Sequence, residues 1–319
     1  MKSAKTSATQ QTARFFSVLP KETNIDFMGK RFMALVLSAV LVLIGIFAFV
    51  QIWTGNAKMG LEFTGGTALT LDFQQTPPLD QARSLLAQNG FDDAQLQDVK
   101  ETNKLAIRTK LSEEGEQVAE RMIVLFERAF PDSKPTVVST EFIGPTIGRE
   151  LRDKAIWAVI FATAGFLIYI AFRFDFKFGV AAAVATFHDV FAVLGFSWLL
   201  GMEFTLLVIT SLLTIAGYSL TDTVVVFDRI RENLKKHHRD PLLKIINDAL
   251  NQVLSRTILT SLTTLLAVVA LFVFGGSVLR DFSLVLIIGV IIGTYSSIFI
   301  ASPVLLMWRR RGLTAQVKQ

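Results

Sequence analysis

Long apolar runs separated by short polar clusters make up most of this chain. A helix rises about 1.5 Å per residue, so crossing a hydrocarbon layer about 30 Å thick takes roughly 17–25 mostly apolar residues. Six segments meet that requirement: 32–53, 155–172, 178–200, 204–227, 258–274 and 282–308. Lys30 and Arg31 precede the first, as they would a signal peptide. That run is too long for a signal h-region and no small-x-small cleavage site follows it, so it reads as an uncleaved anchor.

Between the first two runs the periodicity changes. Leu69, Leu71 and Phe73 recur at every second position, which is strand spacing. A short helix over 78–88 ends at Asn89-Gly90, and strands follow over 94–99 and 104–109, the latter alternating through Leu105 and Ile107. A longer helix spans 112–130. Glu113, Glu114 and Glu116 favour its positive N-terminus, and Val118, Met122, Leu125 and Ala129 form an apolar face. A last strand covers 136–142. The order βαββαβ predicts a small ferredoxin-like sandwich.

One further segment has helical spacing without span length. Asp240-Pro241 is a helix start, with Asp as N-cap and Pro first in the helix. Leu242, Ile245, Ile246, Ala249, Leu250 and Val253 then face one way, and Lys244, Asn247, Asp248, Asn251 and Gln252 the other. This amphipathic helix is expected in the membrane interface, docked on the bundle. The basic knot before it, Lys235, Lys236, His237, His238 and Arg239, is either a solvated loop near anionic lipid or a partner contact.

Charge placement orients these elements. Only 18% of the 319 residues are charged, against about a quarter in soluble domains. Residues 54–153 hold 11 Lys/Arg and 16 Asp/Glu, whereas the rest of the chain is net basic. Lys21, Lys30, Arg31, Arg173, Lys177, the run from Arg229 to Arg256, and Arg309, Arg310 and Arg311 all fall on one side, which the positive-inside rule makes cytoplasmic. Basic clusters flanking apolar runs do not point to nucleic acid.

The expected fold is therefore an α-helical integral membrane protein with six transmembrane helices and a small α+β ferredoxin-like periplasmic domain between the first and second spans. The divisions are a cytoplasmic tail over 1–31, a first span over 32–53, the outer domain over 54–153, a five-helix bundle over 154–308 with a cytoplasmic amphipathic loop at 228–256, and a cytoplasmic tail over 309–319. Cysteine is absent, which excludes disulfides and Cys-ligated metal centres.

Ionisable groups inside a span cost several kcal/mol unless paired or hydrated, so they mark candidate sites. His188-Asp189 falls near the middle of the third span, Asp222 in the last quarter of the fourth, and Arg256 at the start of the fifth. Thr210, Thr214, Gly217 and Thr221 form a stripe on the helix of Asp222, with Ser211 and Tyr218 beside it, a pattern able to line a hydrated path. The plainer reading of Asp222 is a structural carboxylate bonded to a neighbouring helix. Arg256, with Thr260, Thr263 and Thr264 on one face, is its natural counter-ion or else an interfacial residue snorkelling to water. Asp189 fits either a functional or a structural role, and His188, turned about 100° from it on the helix, need not face the same neighbour. Gly289 and Gly293, extended by Ser296 or Ser297, form a small-residue packing face.

Enzyme signatures are missing. Leu61–Thr67 is glycine-rich but lacks the Gly-Lys-Ser/Thr of a phosphate loop, and neither a Gly-x-Ser-x-Gly elbow nor a His-Glu-x-x-His pair occurs. The three histidines do not suggest a metal centre. No catalytic residue, metal or cofactor is expected.

Several strings together resemble one family. "GLEFTGGT" (60–67), "EFIGPTIG" (141–148), "HDV" (188–190), "GYSLTDTVVVFDRIREN" (217–233) and "RTILTSLTT" (256–264) are similar, in order, to motifs of the SecF family, the smaller subunits of SecDF protein-export complexes. Glu62 departs from the Asp usual there. The resemblance implies half of an RND-superfamily transporter in the bacterial inner membrane, both termini cytoplasmic, paired with SecD. It implies work alongside the SecYEG channel and SecA, drawing exported unfolded polypeptide outward with the proton-motive force. It also implies a proton relay through Asp222 and Arg256 with Asp189 less certain; the residue pattern itself adds an accessory polar path through Thr214, Thr221, Thr260 and Thr264, and helix packing at Gly217, Gly289 and Gly293. The competing expectations are a small-molecule or lipid exporter of RND type, and a scaffold subunit without proton coupling.

Overall fold

The computed structural model describes residues 23–99, 103–110, 115–237 and 239–307. Lys21, the helix start at 112–114, His238, Trp308 and Arg309–Arg311 lie outside the described residues.

Six helices are long and apolar enough to span a membrane. They are α1 (Arg31–Trp53), α5 (Pro145–Arg173), α6 (Phe176–Leu199), α7 (Leu206–Lys236), α8 (Leu242–Phe274) and α9 (Gly276–Ser296), the last continuing through a π-helical turn, Ser297–Ala301, to Met307. Several outrun their apolar segments. At about 1.5 Å per residue, α8 with its 33 residues is roughly 50 Å long, well beyond a bilayer core.

The amphipathic helix and the fifth span are thus one rod, not an interfacial helix followed by a separate crossing. Likewise most of the expected loop at 228–256 is helix, since α7 runs to Lys236 and α8 starts at Leu242. Pro241 occupies the N-cap of α8 without a side-chain cap, and Asp240 instead accepts from Lys244 Nζ at 3.1 Å. The polar face is used inside the protein. Asn247 and Asn251 grip the backbone leading into α1: Asn247 Oδ1 accepts from Phe27 N at 2.9 Å, Asn251 Oδ1 from Ile25 N at 2.8 Å, and both amides donate to Ile25 O. Gln252 accepts from Arg229 and Asn233 of α7. These partners make the helix continuous with the bundle.

Between α1 and α5 lie α2 (Leu61–Thr64), β1 (Gly66–Asp72), α3 (Leu79–Gln88), β2 (Gln95–Val99), β3 (Lys104–Thr109), α4 (Gly115–Ala129) and β4 (Thr136–Ile143). The sheet order is β2-β3-β1-β4, and every neighbouring pair is antiparallel. That is the ferredoxin-like arrangement the βαββαβ order predicts. The alternation places Leu69 and Leu71 opposite Ile107 and Leu105, all four fully buried. Burial of such side chains stabilises by about 1.5–3 kcal/mol each. The buried face of α4 is Val118, Ala119, Met122 and Phe126; Ala129 is exposed and Leu125 only partly covered, because the helix rotates to seat Phe126 against Phe73.

The sheet is closed by a tight turn at its start and fastened to the helices through one loop. Gly66 begins β1 with φ +122°, and a Cβ there would lie 2.2 Å from Thr109 O, so the "GGT" string is a turn that only glycine completes. At the attachment to the helices, the α6–α7 loop pairs with residues 58–60: Gly60 N donates to Phe204 O and Phe204 N to Lys58 O, both at 2.9 Å. Arg108 of β3 forms an ion pair with Glu203 of the same loop.

Helix approach is set by missing side chains. A Cβ on Gly45 of α1 would lie 2.0 Å from Phe191 O of α6, and one on Gly195 would lie 2.9 Å from Gly45 N. On α9, a Cβ at Gly289 would strike Ile215 at 2.3 Å and one at Gly293 would meet Ser219 at 3.2 Å. Gly217 is different. There an added Cβ meets only the Phe166 ring at 3.8 Å, ordinary contact, so close packing does not require that glycine.

Candidate functional site

Three spans converge on Asp189, which is fully buried in α6. Its Oδ1 lies 2.8 Å from His188 Nδ1, and its Oδ2 accepts from Ser219 Oγ of α7 and, at 2.6 Å, from Ser296 Oγ of α9. Asp222 of α7 accepts from Thr257 Oγ1 of α8 at 3.1 Å and from Ser297 Oγ of α9 at 2.6 Å. Both carboxylates therefore hang from consecutive serines. Adjacent residues of a helix are turned roughly 100° from one another, so one pair of hydroxyls reaches two different helices. The π turn begins at Ser297, where a carbonyl ladder shifted by one residue changes side-chain direction, a feature frequent at functional sites.

The Ala181, Ala182 and Ala185 side of α6 lets its neighbours approach, and Thr205 starts α7 by accepting from Val208 N. A second polar rung links the same helices. Tyr218 of α7 donates to Ser261 of α8 at 3.3 Å, and Ser261 lies 2.6 Å from Thr294 Oγ1 of α9. Four of the bundle's helices thus contribute to neighbouring polar clusters between the spans. In a low-dielectric setting such groups are costly unless bonded in this way.

Arg256 does not pair with Asp222. It is exposed near the α8 surface, close enough for its charge to act on Asp222, while the next residue, Thr257, makes the hydrogen bond. The threonine stripes also face outward. Thr210, Thr214, Thr221, Thr260 and Thr263 are exposed, and their hydroxyls donate to carbonyls three or four residues back on their own helices, as does Thr264. Within this chain they line an open face of α7 and α8 and do not enclose a channel. His188 and Asp189, which the 100° turn between them left free to face different neighbours, bond directly to each other. Ser219, Thr257 and the two serines of α9 had no distinguishing signal beyond being small and polar in a span. Among the described residues no cluster of His, Asp or Glu could hold a metal ion.

Buried carboxylates held between spans, with a small domain fastened to the helix ends, define a multi-span membrane protein with a polar interior. The family model for "Protein export membrane protein SecD/SecF, C-terminal" matches residues 125–311. The chain is 49% identical over 294 residues to the protein translocase subunit SecF of Thermodesulfovibrio yellowstonii, covering 92% of this chain and 97% of that one. It is 41% identical to the protein translocase subunit SecDF of Thermus thermophilus, of which it spans 39%. A crystal structure of Thermus thermophilus SecDF, described as a translocon-associated membrane protein, superposes on 90% of this chain with a TM-score of 0.78 and 40% identity. The chain belongs to the SecD/SecF family of protein-export membrane proteins.

Proposed function

We propose that this chain is the SecF-type half of a SecDF complex, pairing with a separate SecD subunit to draw unfolded preproteins outward through SecYEG after the SecA step. The proton-motive force supplies the energy, and the helix termini that carry the basic clusters face the cytoplasm. The relative that carries both halves in one chain supports a two-part assembly, since this chain corresponds to only 39% of it. The outward threonine faces of α7 and α8 support the same reading: polar groups presented at the bundle surface suit a partner's helices better than lipid.

In this reading Asp222 is the proton-exchanging group, Arg256 its mobile counter-charge and Asp189 a neighbouring member of the relay, with Thr214, Thr221, Thr260 and Thr264 completing a hydrated path once the partner covers them. The observation that carries it is the suspension of Asp222 between two hydroxyls while Arg256 stands near but unpaired. Coupling needs a proton site whose surroundings differ between two states, and an arginine able to move onto or off the carboxylate provides that difference. A charge crossing the membrane is worth about 2.3 kcal/mol per 100 mV, enough to bias an equilibrium some fiftyfold. Movement of α7 would reach the sheet through the bonds between Phe204 and residues 58–60, and movement of α5 through Gly144, the single residue separating it from β4.

The test is Asp222→Asn in the complex reconstituted with SecD and SecYEG. Loss of the proton-dependent part of export, with co-purification of SecD unchanged, is the expected result. Normal proton-dependent export would refute the relay, and loss of assembly at both Asp222→Asn and Arg256→Gln would support a scaffold instead.

A further inference from the structure

The buried group that the relay above leaves unused is His188. Its side chain is 4% exposed. Nδ1 faces the carboxylate of Asp189 at 2.8 Å, while Nε2 is buried with no hydrogen-bond partner. A buried polar atom left in this way is costly, and an imidazole offers it a choice. Facing a carboxylate, Nδ1 carries the hydrogen, so Nε2 is left as a bare lone pair, the tautomer that an aspartate imposes on histidine. A neutral packing residue would do without this atom. Phe, Leu or Met would fill the space and leave Asp189 its two serines.

We propose that His188 is a proton-carrying residue of the buried relay, binding a proton at Nε2 with Asp189 as its fixed counter-ion. The proton arrives on Nε2 and makes an imidazolium beside the carboxylate. The Nδ1 hydrogen then passes to Asp189 Oδ1, leaving a neutral imidazole protonated at Nε2 and a neutral carboxylic acid. Reversal of these two steps returns the proton. Charge is conserved throughout, and no co-reactant is needed.

The surroundings suit a group that must be shielded in one state and reached in another. Tyr295 of α9 lies beside the imidazole, ring centroids 6.3 Å apart, and its hydroxyl donates to Ala34 O of α1 at 2.9 Å and lies 3.1 Å from Ser38 Oγ. Among the described residues, the titratable groups around His188 are Asp189 on its own helix, Tyr295 on α9 and, beyond Ser297, Asp222 on α7. No lysine or arginine reaches this pocket through a hydrogen bond or ion pair that the structure records.

This inference rests on the proton-coupled reading, and its test separates the two. Full-length chain with its SecD partner is placed in bilayers with 15N-labelled histidine, and imidazole signals are followed over about pH 5 to 9, the range in which histidine ordinarily changes charge. The chain has only three histidines, so His188→Asn identifies the signal by subtraction. The expected result is an Nε2 that moves from bare to protonated within that range, and an at least tenfold loss of proton-dependent export in His188→Asn with an altered pH profile. An Nε2 that stays bare at every pH, with export and its pH profile unchanged in His188→Asn, overturns the proposal. If Asp222→Asn also exports normally, the proton reading itself fails. If Asp222→Asn is inactive while His188→Asn behaves as the parent chain, only the role of His188 is lost.

Discussion

The sheet domain and the helix bundle both have apolar interiors but differ in what they turn outward and in which polar groups they bury. In the domain, Leu69, Leu71, Leu105, Ile107, Met122 and Phe126 form an apolar centre and the charges face outward. In the bundle, Phe32, Trp53, Phe161, Phe172 and Phe274 face outward, while Asp189, Ser219, Ser296 and His188 are buried. The difference shows which force holds each part. Water drives the domain together, since exposing its core costs about 25 cal/mol per Å². Lipid is as apolar as leucine, so the bundle relies on close backbone approach and on polar groups that have nowhere else to bond.

The contrast can be broken first at its tightest point. Gly45→Leu should prevent α1 from seating on α6, because the obstructing atom is the Phe191 carbonyl rather than a movable side chain. The effect should exceed the roughly 1–3 kcal/mol of ordinary overpacking. The check is size-exclusion in mild detergent, where aggregation is expected and a monodisperse peak would contradict the crossing. In the domain the equivalent damage is removal of bulk. Phe126→Ala should destabilise the sandwich by about 3–5 kcal/mol, seen as protease cleavage within 54–143, while the spans remain resistant.

Smaller changes sharpen the comparison. Ser297→Ala removes one of the two donors to Asp222 and should cost about 1–3 kcal/mol, measured by thermal unfolding in detergent. The same change at Ser84, whose hydroxyl bonds only to Asp80 O on an exposed face, should be near neutral. The smallest effect is expected for Arg108→Ala. Its pair with Glu203 is part-exposed, so stability should fall by no more than about 1 kcal/mol. Cross-linking between residues 58 and 201 should nonetheless become less efficient if this pair helps to hold the sheet on the α6–α7 loop.

Much of this is legible in the amino-acid sequence. Strand positions 104–109 and helix ends near Trp53 and Phe274 follow from periodicity and run length, since each is a local preference for water or for lipid. The continuity of α8 was not legible. A change from amphipathic to wholly apolar character at Ser255–Thr257 reads as a boundary, but the backbone has no reason to break there once Asn247, Asn251 and Gln252 find partners within the protein. The crossing at Gly45 and Gly195 was missed for a related cause, because a lone glycine in each of two distant helices carries no pattern.

The site divides in the same way. Asp189, Asp222 and Arg256 stand out along the chain because charge within an apolar run is rare and costly. What each one touches is another matter. That Asp189 and Asp222 hang from neighbouring serines, that Arg256 stands aside from Asp222, and that His188 Nε2 is left without a hydrogen-bond partner all follow from how α6, α7, α8 and α9 rotate about their axes. Rotation is decided by contacts between residues far apart in the chain, such as Gly289 on Ile215 and Gly293 on Ser219. Order of residues determined which groups enter the membrane; only packing of one helix against the next decided which of them meet.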